Sequence, residues 1–128
     1  MILDSSALIS ILVGEPGCLE LVSKLALAPH VAAGAPTLAE TGIVLTHRAG
    51  KDARLLIDAF LAETGTEIVR FDEAHWREAV VAFRRYGKGR HPAALTFGDC
   101  MTYAVAKLSD EPLLCIGDDF RRTDLELA

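Results

Sequence analysis

Short, mostly apolar runs alternate with helix-length segments from one end of the chain to the other, and this alternation restricts the fold more than any other feature. Met1 to Leu3, His30 to Ala33, Glu67 to Phe71 and Leu113 to Ile116 read as strands. Between them the periodicity predicts helices. Ser5 to Val13 is the first, stopped by Gly14. Glu15-Pro16-Gly17 opens a second that runs to about Leu27, with Leu19, Val22 and Ala26 on one face. A Gly34-Ala35-Pro36 turn leads into a helix from Thr37 to about Ala49, closed by Gly50. Lys51 to Thr64 is a fourth, with Leu55, Leu56, Ala59 and Phe60 as its apolar stripe and Gly65 at its end. Asp72 caps a helix whose core residues are expected to be Trp76, Val80 and Phe83, ending before Gly87. Thr96 or Gly98 opens the last, with Met101, Val105 and Leu108. Strands this short and apolar, separated by helices, predict a parallel sheet covered on both faces. Ligands of such open sheets bind beyond the carboxyl ends of the strands.

Composition sets the outer bounds. The chain has 128 residues, 51% of them hydrophobic, which is enough for one domain, 1–128, with its own core. A charged fraction of 24% argues against disorder. No run approaches the roughly 20 apolar residues of a membrane span. The apolar start, MILDSSALISILVG, is interrupted by Asp4 and has no Lys or Arg before Lys24, so a secretory leader is not expected. Cys18, Cys100 and Cys115 form no close pair, which predicts reduced thiols in a cytoplasmic protein, with Cys115 in the core. The histidines show no zinc-ligand spacing.

The acids carry the chemistry. Asp4 follows a strand directly, and Glu40 lies just past a strand and a turn. Asp99 sits in the first turn of a helix, and Asp118 and Asp119 follow the strand LLCI. In a parallel sheet several of these share one rim. Two carboxylates about 4 Å apart repel by about 4 kcal/mol at an effective dielectric near 20, so such a cluster calls for a divalent cation. Hard oxygen donors suit Mg²⁺ or Mn²⁺. Each acid also has a purely structural reading. Asp4 before Ser5-Ser6-Ala7 is a helix N-cap, and Thr37-Leu38-Ala39-Glu40 and Thr96-Phe97-Gly98-Asp99 read as capping boxes. Asp118 and Asp119 would cap a final turn. Capping and ligation are compatible, because a helix N-terminus stabilises the ionised carboxylate that a cation needs.

Four ordered motifs now stand together: Asp-Ser-Ser-Ala at 4–7, Pro-Thr-Leu-Ala-Glu at 36–40, Phe-Gly-Asp-Cys at 97–100 and Gly-Asp-Asp-Phe at 117–120. With the stretch Tyr86-Gly-Lys-Gly-Arg-His-Pro-Ala93, this order resembles the PIN domain, and more narrowly the VapC-type toxins of bacterial toxin–antitoxin pairs. The resemblance implies a three-layer α/β/α fold and Mg²⁺-dependent cleavage of RNA. It also implies neutralisation by a cognate VapB-type antitoxin that inserts a peptide into the active-site groove. Asp4, Glu40, Asp99 and Asp119 fall on the family's acidic positions, and Ser5 or Ser6 on its hydroxyl position. Asp4, Asp99 and Asp119 would hold the metal, with Asp118 beside Asp119 leaving open which of the two faces it. Asp124 is a further outer candidate. Thr96 departs from the commonest pattern, which has Asn there.

Net charge is −5, which read as an average disfavours a nucleic-acid partner. The distribution matters more. Residues 84–91 read RRYGKGRH, and Arg84, Lys88 and Arg90 are the expected phosphate contacts. Their alternative is a solvated helix end, since cations favour helix C-termini. Apolar faces over 19–27 and 55–60 exceed what a monomer buries, which predicts a homodimer, an antitoxin surface, or both. Two rival functions remain at this level. A receiver-type phosphoryl-transfer domain also gathers acids at strand ends around Mg²⁺, but needs a phosphoacceptor Asp on a mid-chain strand. A catalytically silent PIN-like interaction module has no need of the intact acids. Replacing Lys88 and Arg90 together by Ala is expected to weaken RNA binding and flatten its dependence on salt; an unchanged slope would return the loop to solvated surface.

Overall fold

The computed structural model describes residues 1–128. The elements follow in the order β1 (Ile2–Leu3), α1 (Ser5–Val13), α2 (Cys18–Leu27), β2 (Ala32–Gly34), α3 (Ala35–Ala49), α4 (Arg54–Thr64), β3 (Glu67–Val69), α5 (Glu73–Tyr86), α6 (Phe97–Ser109) and β4 (Leu113–Leu114). A 3₁₀ turn, Phe120–Arg122, comes last. The strands pair in the order β3-β2-β1-β4, all parallel, with Ile2 opposite both Ala32 and Leu113. After β3 the chain crosses to the far side of β1. The strand order therefore reverses between β1 and β4, the place where open α/β sheets form a crevice.

Alternation along these short strands divides the interior in two. Ile2, Ala32 and Leu113 face the layer made by α5 and α6, where Ala79, Ala82, Tyr103 and Val105 are buried. Met1, Leu3, Ala33 and Leu114 face the opposite layer, with Leu8, Leu21 and Phe60 from α1, α2 and α4. This is the expected three-layer α/β/α arrangement, its sheet covered on both sides. One glycine is a packing requirement: a Cβ on Gly34 would come within 2.9 Å of Val105 Cγ2 on α6.

Several boundaries and faces differ from the sequence reading. The turn expected at Gly34-Ala35-Pro36 does not form, because Pro36 enters the first turn of α3 and the helix begins at Ala35. Helix α4 starts at Arg54 rather than Lys51; Asp52 accepts a hydrogen bond from the Arg54 backbone N–H just before it. Leu19 (77% exposed) and Leu55 (81% exposed) point outward, and the buried faces belong to Leu21 on α2 and to Ile57 and Phe60 on α4. Trp76, Val80 and Phe83 are about half exposed; α5 buries Ala79, Ala82 and Tyr86 instead. Cys115 is only partly buried and packs at the edge of the core, and none of the cysteines is paired. No single helix is long and apolar enough to cross a membrane.

The C-terminal segment closes the β4 edge. Leu113 N–H donates to the Glu126 carbonyl and Ala128 N–H to the Leu113 carbonyl, both at 2.9 Å. Asp124 fastens this segment to α6: it accepts from the hydroxyl of fully buried Tyr103 at 2.5 Å and from Lys107 Nζ at 3.0 Å. Burial alone would push the Asp124 carboxyl up, but these donors bring it down to about 2. Tyr103→Phe is expected to cost about 1.5–3 kcal/mol at neutral pH, read from denaturant unfolding. A carboxyl depressed in the folded state stabilises above its unfolded value of 3.8 and loses that contribution as pH falls toward about 2. The gap between wild type and Tyr103→Phe should therefore narrow over that range.

Candidate active site

Asp4 stands at the carboxyl end of β1, at the reversal of strand order. It is 4% exposed and N-caps α1. Its Oδ2 accepts from the Ser6 backbone N–H at 3.0 Å and from the Ser6 hydroxyl at 2.5 Å. That hydroxyl in turn accepts from the Ile116 N–H at 3.0 Å, tying the acid to the loop after β4. The second oxygen, Oδ1, is buried without any hydrogen-bond partner. Burial raises the Asp4 carboxyl above its ordinary value, against the two Ser6 bonds, and the charge of Asp99 raises it further. The Thr102 hydroxyl works the other way.

Glu40 approaches from α3. Because α3 begins at Ala35, Glu40 lies beyond its first turn and does not cap it, so the capping box expected at Thr37–Glu40 is absent. Thr37 is buried and instead meets the Thr102 hydroxyl at 3.0 Å. The Glu40 carboxylate rests against the start of α6. A Cβ on Gly98 would lie 2.6 Å from Oε2 and 2.7 Å from Oε1, so any other residue there would displace the Glu40 carboxylate. Burial raises the Glu40 carboxyl, the nearby Ser5 hydroxyl opposes this, and Asp4 and Asp99 add to the rise. Of the two serines, Ser6 is the one bonded to an acid, Asp4.

Asp99 forms the capping box that the sequence suggested. Its Oδ2 accepts from the Thr96 backbone N–H and hydroxyl, each at 2.7 Å. Those bonds leave Oδ1 out. Asp119 and Asp118 part company. Asp118 is turned outward into an ion pair with Arg121 at 3.5 Å. Asp119 acts at the Cys115 thiol, which burial pushes up to about 11 with Asp4, Asp119 and Asp99 adding and Arg121 opposing. Asp124 does not join the cluster. It is held by Tyr103 and Lys107, the latter eight positions beyond Asp99, or roughly 12 Å along the α6 axis. Thr102 is a contributor that the motifs did not flag. The signal was its i+3 spacing from Asp99, which puts both on one face of α6.

No three Asp, Glu, His or Cys side chains are gathered closely enough to hold a metal ion between them. The chemistry of the donors nonetheless suits a hard divalent cation. Asp4, Glu40 and Asp99 lie within reach of one another's charge. The donors are all carboxylate oxygens, and Asp4 Oδ1 is buried without compensation, which a bound cation would supply. Farther out, the basic loop folds back on itself: Lys88 N–H donates to the Leu95 carbonyl and Leu95 N–H to that of Tyr86, so its base immediately precedes Thr96 and Asp99. Arg84, Lys88 and Arg90 are exposed there, with Arg90 over the Phe83 ring at 5.5 Å.

The PIN domain model matches residues 1–126. The chain is 47% identical over 127 residues to Ribonuclease VapC36 of Mycobacterium tuberculosis, covering 98% of this chain and 91% of that one. Among solved structures, VapC20 of M. tuberculosis, described as a toxin that cleaves the sarcin-ricin loop, superposes with a TM-score of 0.77 at 17% identity, covering 99% and 97% of the two chains. A toxin–antitoxin complex from Klebsiella pneumoniae gives a TM-score of 0.73 at 18% identity, covering 99% and 95%. At those identities the structural likeness speaks for the fold alone. The Asp4 environment makes a separate measurement available. Asp4→Asn keeps a capping side chain and removes the uncompensated buried charge, so the metal-free variant is expected to melt a few degrees above wild type. Mg²⁺ or Mn²⁺ should raise the wild-type melting temperature with concentration and leave Asp4→Asn unmoved.

Proposed function

This chain belongs to the PIN domain family and, within it, to the VapC ribonucleases, and we propose that it is a metal-dependent endoribonuclease that hydrolyses RNA phosphodiester bonds and is neutralised by a cognate VapB-type antitoxin. What supports this reading is that Asp4, Glu40 and Asp99 feel one another's charge, and that Asp4 Oδ1 is buried and unpartnered. Asp4 and Asp99 are the residues that would hold Mg²⁺ or Mn²⁺, with Asp119 supporting from the β4 side. Bound there, the cation supplies charge neutralisation at the phosphate and a more acidic attacking water. The chain's own groups do the rest. Ser6 fixes the Asp4 carboxylate, and Thr96 fixes that of Asp99 at the α6 N-terminus. Glu40, raised by burial and its acidic neighbours, is suited to exchange a proton with water or the leaving oxygen. Arg84, Lys88 and Arg90 would hold the RNA backbone away from the repelling acids.

The whole chain, 1–128, is read as one such domain, acting in the cytoplasm where RNA is available. Apolar side chains around the site support partners that cover it. Ile43 (71% exposed) and Phe97 (78% exposed) border the cleft beside Glu40, and Leu55 and Leu56 are exposed on α4. A homodimer and a toxin–antitoxin hetero-oligomer would use these surfaces. The receiver-type alternative loses its footing because neither mid-chain strand, β2 (Ala32–Gly34) nor β3 (Glu67–Val69), ends in an aspartate.

Asp99→Asn preserves the acceptor for Thr96 and therefore the α6 cap. It is expected to lower metal-dependent RNA cleavage by about 100-fold or more while leaving the melting temperature close to wild type. Asp119→Asn should reduce cleavage and Asp118→Asn should not, as measured on one RNA under single-turnover conditions. Wild-type activity in Asp99→Asn would overturn the assignment.

A further inference from the structure

A second concavity lies behind the loop that leaves β4. It has a volume of about 500 Å³ and opens between α1, α2, β4 and the C-terminal segment. That size is within the roughly 300–1,000 Å³ of small-ligand sites. Leu21, Leu113 and Leu127 give it an apolar floor. Ser10 lines it from α1, 1% exposed, with its hydroxyl lacking any hydrogen-bond partner. Buried hydroxyls are seldom left this way. Cys115, Ile116 and Gly117 form the wall nearest the acids. That wall is continuous with the active site, since the Ile116 N–H bonds the same Ser6 hydroxyl that holds Asp4.

The charges of the lining suit a phosphate ester. Lys24 and Arg121 are its cations and Glu20 its one acidic side chain. Lys24 is already engaged by Glu20 at 3.6 Å and by the Ala128 carbonyl at 2.9 Å. Arg121 is held only by exposed Asp118 at 3.5 Å, a surface pair of little strength that a phosphate would displace. The Cys115 thiol, pushed up to about 11, stays neutral and adds no negative charge to the wall.

We propose that this cavity is a nucleotide subsite, which takes one unstacked base of the RNA beside the scissile phosphate, with Ser10 bonding the base edge and Arg121 meeting the adjoining phosphate. The inference rests on the ribonuclease reading above. It adds a place where base identity is read, which a cluster of carboxylates does not supply. A mixed lining of three leucines, one unpartnered hydroxyl and one loosely held guanidinium matches a base and its phosphate better than a peptide, whose backbone would need a row of donors and acceptors.

The test uses the full chain without metal. The four nucleoside 5′-monophosphates and inorganic phosphate are titrated in turn, and backbone amide shifts are followed by NMR. Saturable shifts at Ser10, Leu21 and Ile116 are expected with nucleotides, and binding roughly tenfold weaker for Arg121→Ala. Ser10→Ala should change the ranking of the bases and spare the response to phosphate. Inorganic phosphate alone should bind more weakly than any nucleotide. Absence of saturable binding would overturn the subsite. So would shifts confined to residues 84–90, or shifts produced by an antitoxin-derived peptide and by no nucleotide. Cleavage separates the two readings. Nucleotide binding in the cavity with no RNA cleavage under any divalent cation would sink the nuclease reading and leave the subsite. Cleavage by Arg121→Ala with unchanged KM and unchanged base preference beside the cut would do the reverse.

Discussion

The Asp4 carboxylate is 4% exposed, with two hydrogen bonds on Oδ2 and none on Oδ1. An ionised carboxylate so placed is costly unless something completes it, and the surrounding architecture reads as a response to that. Strand β1 lies inside the sheet between β2 and β4, so its end is out of water. Helix α1 begins at the next residue and presents its N-terminal N–H groups to the acid. The opening turn of α6 brings Asp99 into range, and Gly98 leaves room for Glu40 alongside it. Each arrangement either offsets the charge of Asp4 or adds to it, and burial outweighs the donors.

Asp99 and Glu40 meet the same demand differently. In Asp99 one oxygen is built into the fabric of α6 through Thr96, and the other is left for the rim. Structural and chemical roles are thus shared between two atoms of one carboxylate. Glu40 has no structural bond of that kind. It is positioned by the space that Gly98 leaves and by the Ser5 hydroxyl, and its longer side chain retains more freedom. A pair with one fixed and one adaptable acid suits a reaction in which one group must hold its place while another follows a proton.

Much of this was legible in the sequence. The strands were found because each is short, apolar and bounded by helix signals, and Ser5–Val13 was read to its ends because Asp4 and Gly14 are strong local stops. The α6 cap was visible as Thr96 and Asp99. What failed has a physical pattern. Helices α2 and α4 carry apolar residues on more than one stripe, so periodicity could not tell the face with Leu21 from the face with Leu19, or Ile57 from Leu55. The inner face of α5 is made of alanines and a tyrosine, which let α6 approach closely, while the larger Trp76 and Phe83 stay outside. The Thr37 box failed because Pro36, read as a turn residue, fits a helix's first turn equally well. Asp124, a further outer candidate in the sequence, is held by Tyr103 and Lys107 on α6, partners that its own stretch, Arg122-Thr123-Asp124, does not reveal.

Ser6 has a single proton, and it is donated to Asp4; its lone pair receives the Ile116 N–H. That one oxygen therefore sets both the angle of the acid and the height of the β4 loop above the sheet. The loop bearing Asp119 is anchored from behind before anything reaches the rim. The conformational entropy of ordering it is lost as the chain folds rather than at each encounter with a ligand. On that side the rim stands preorganised.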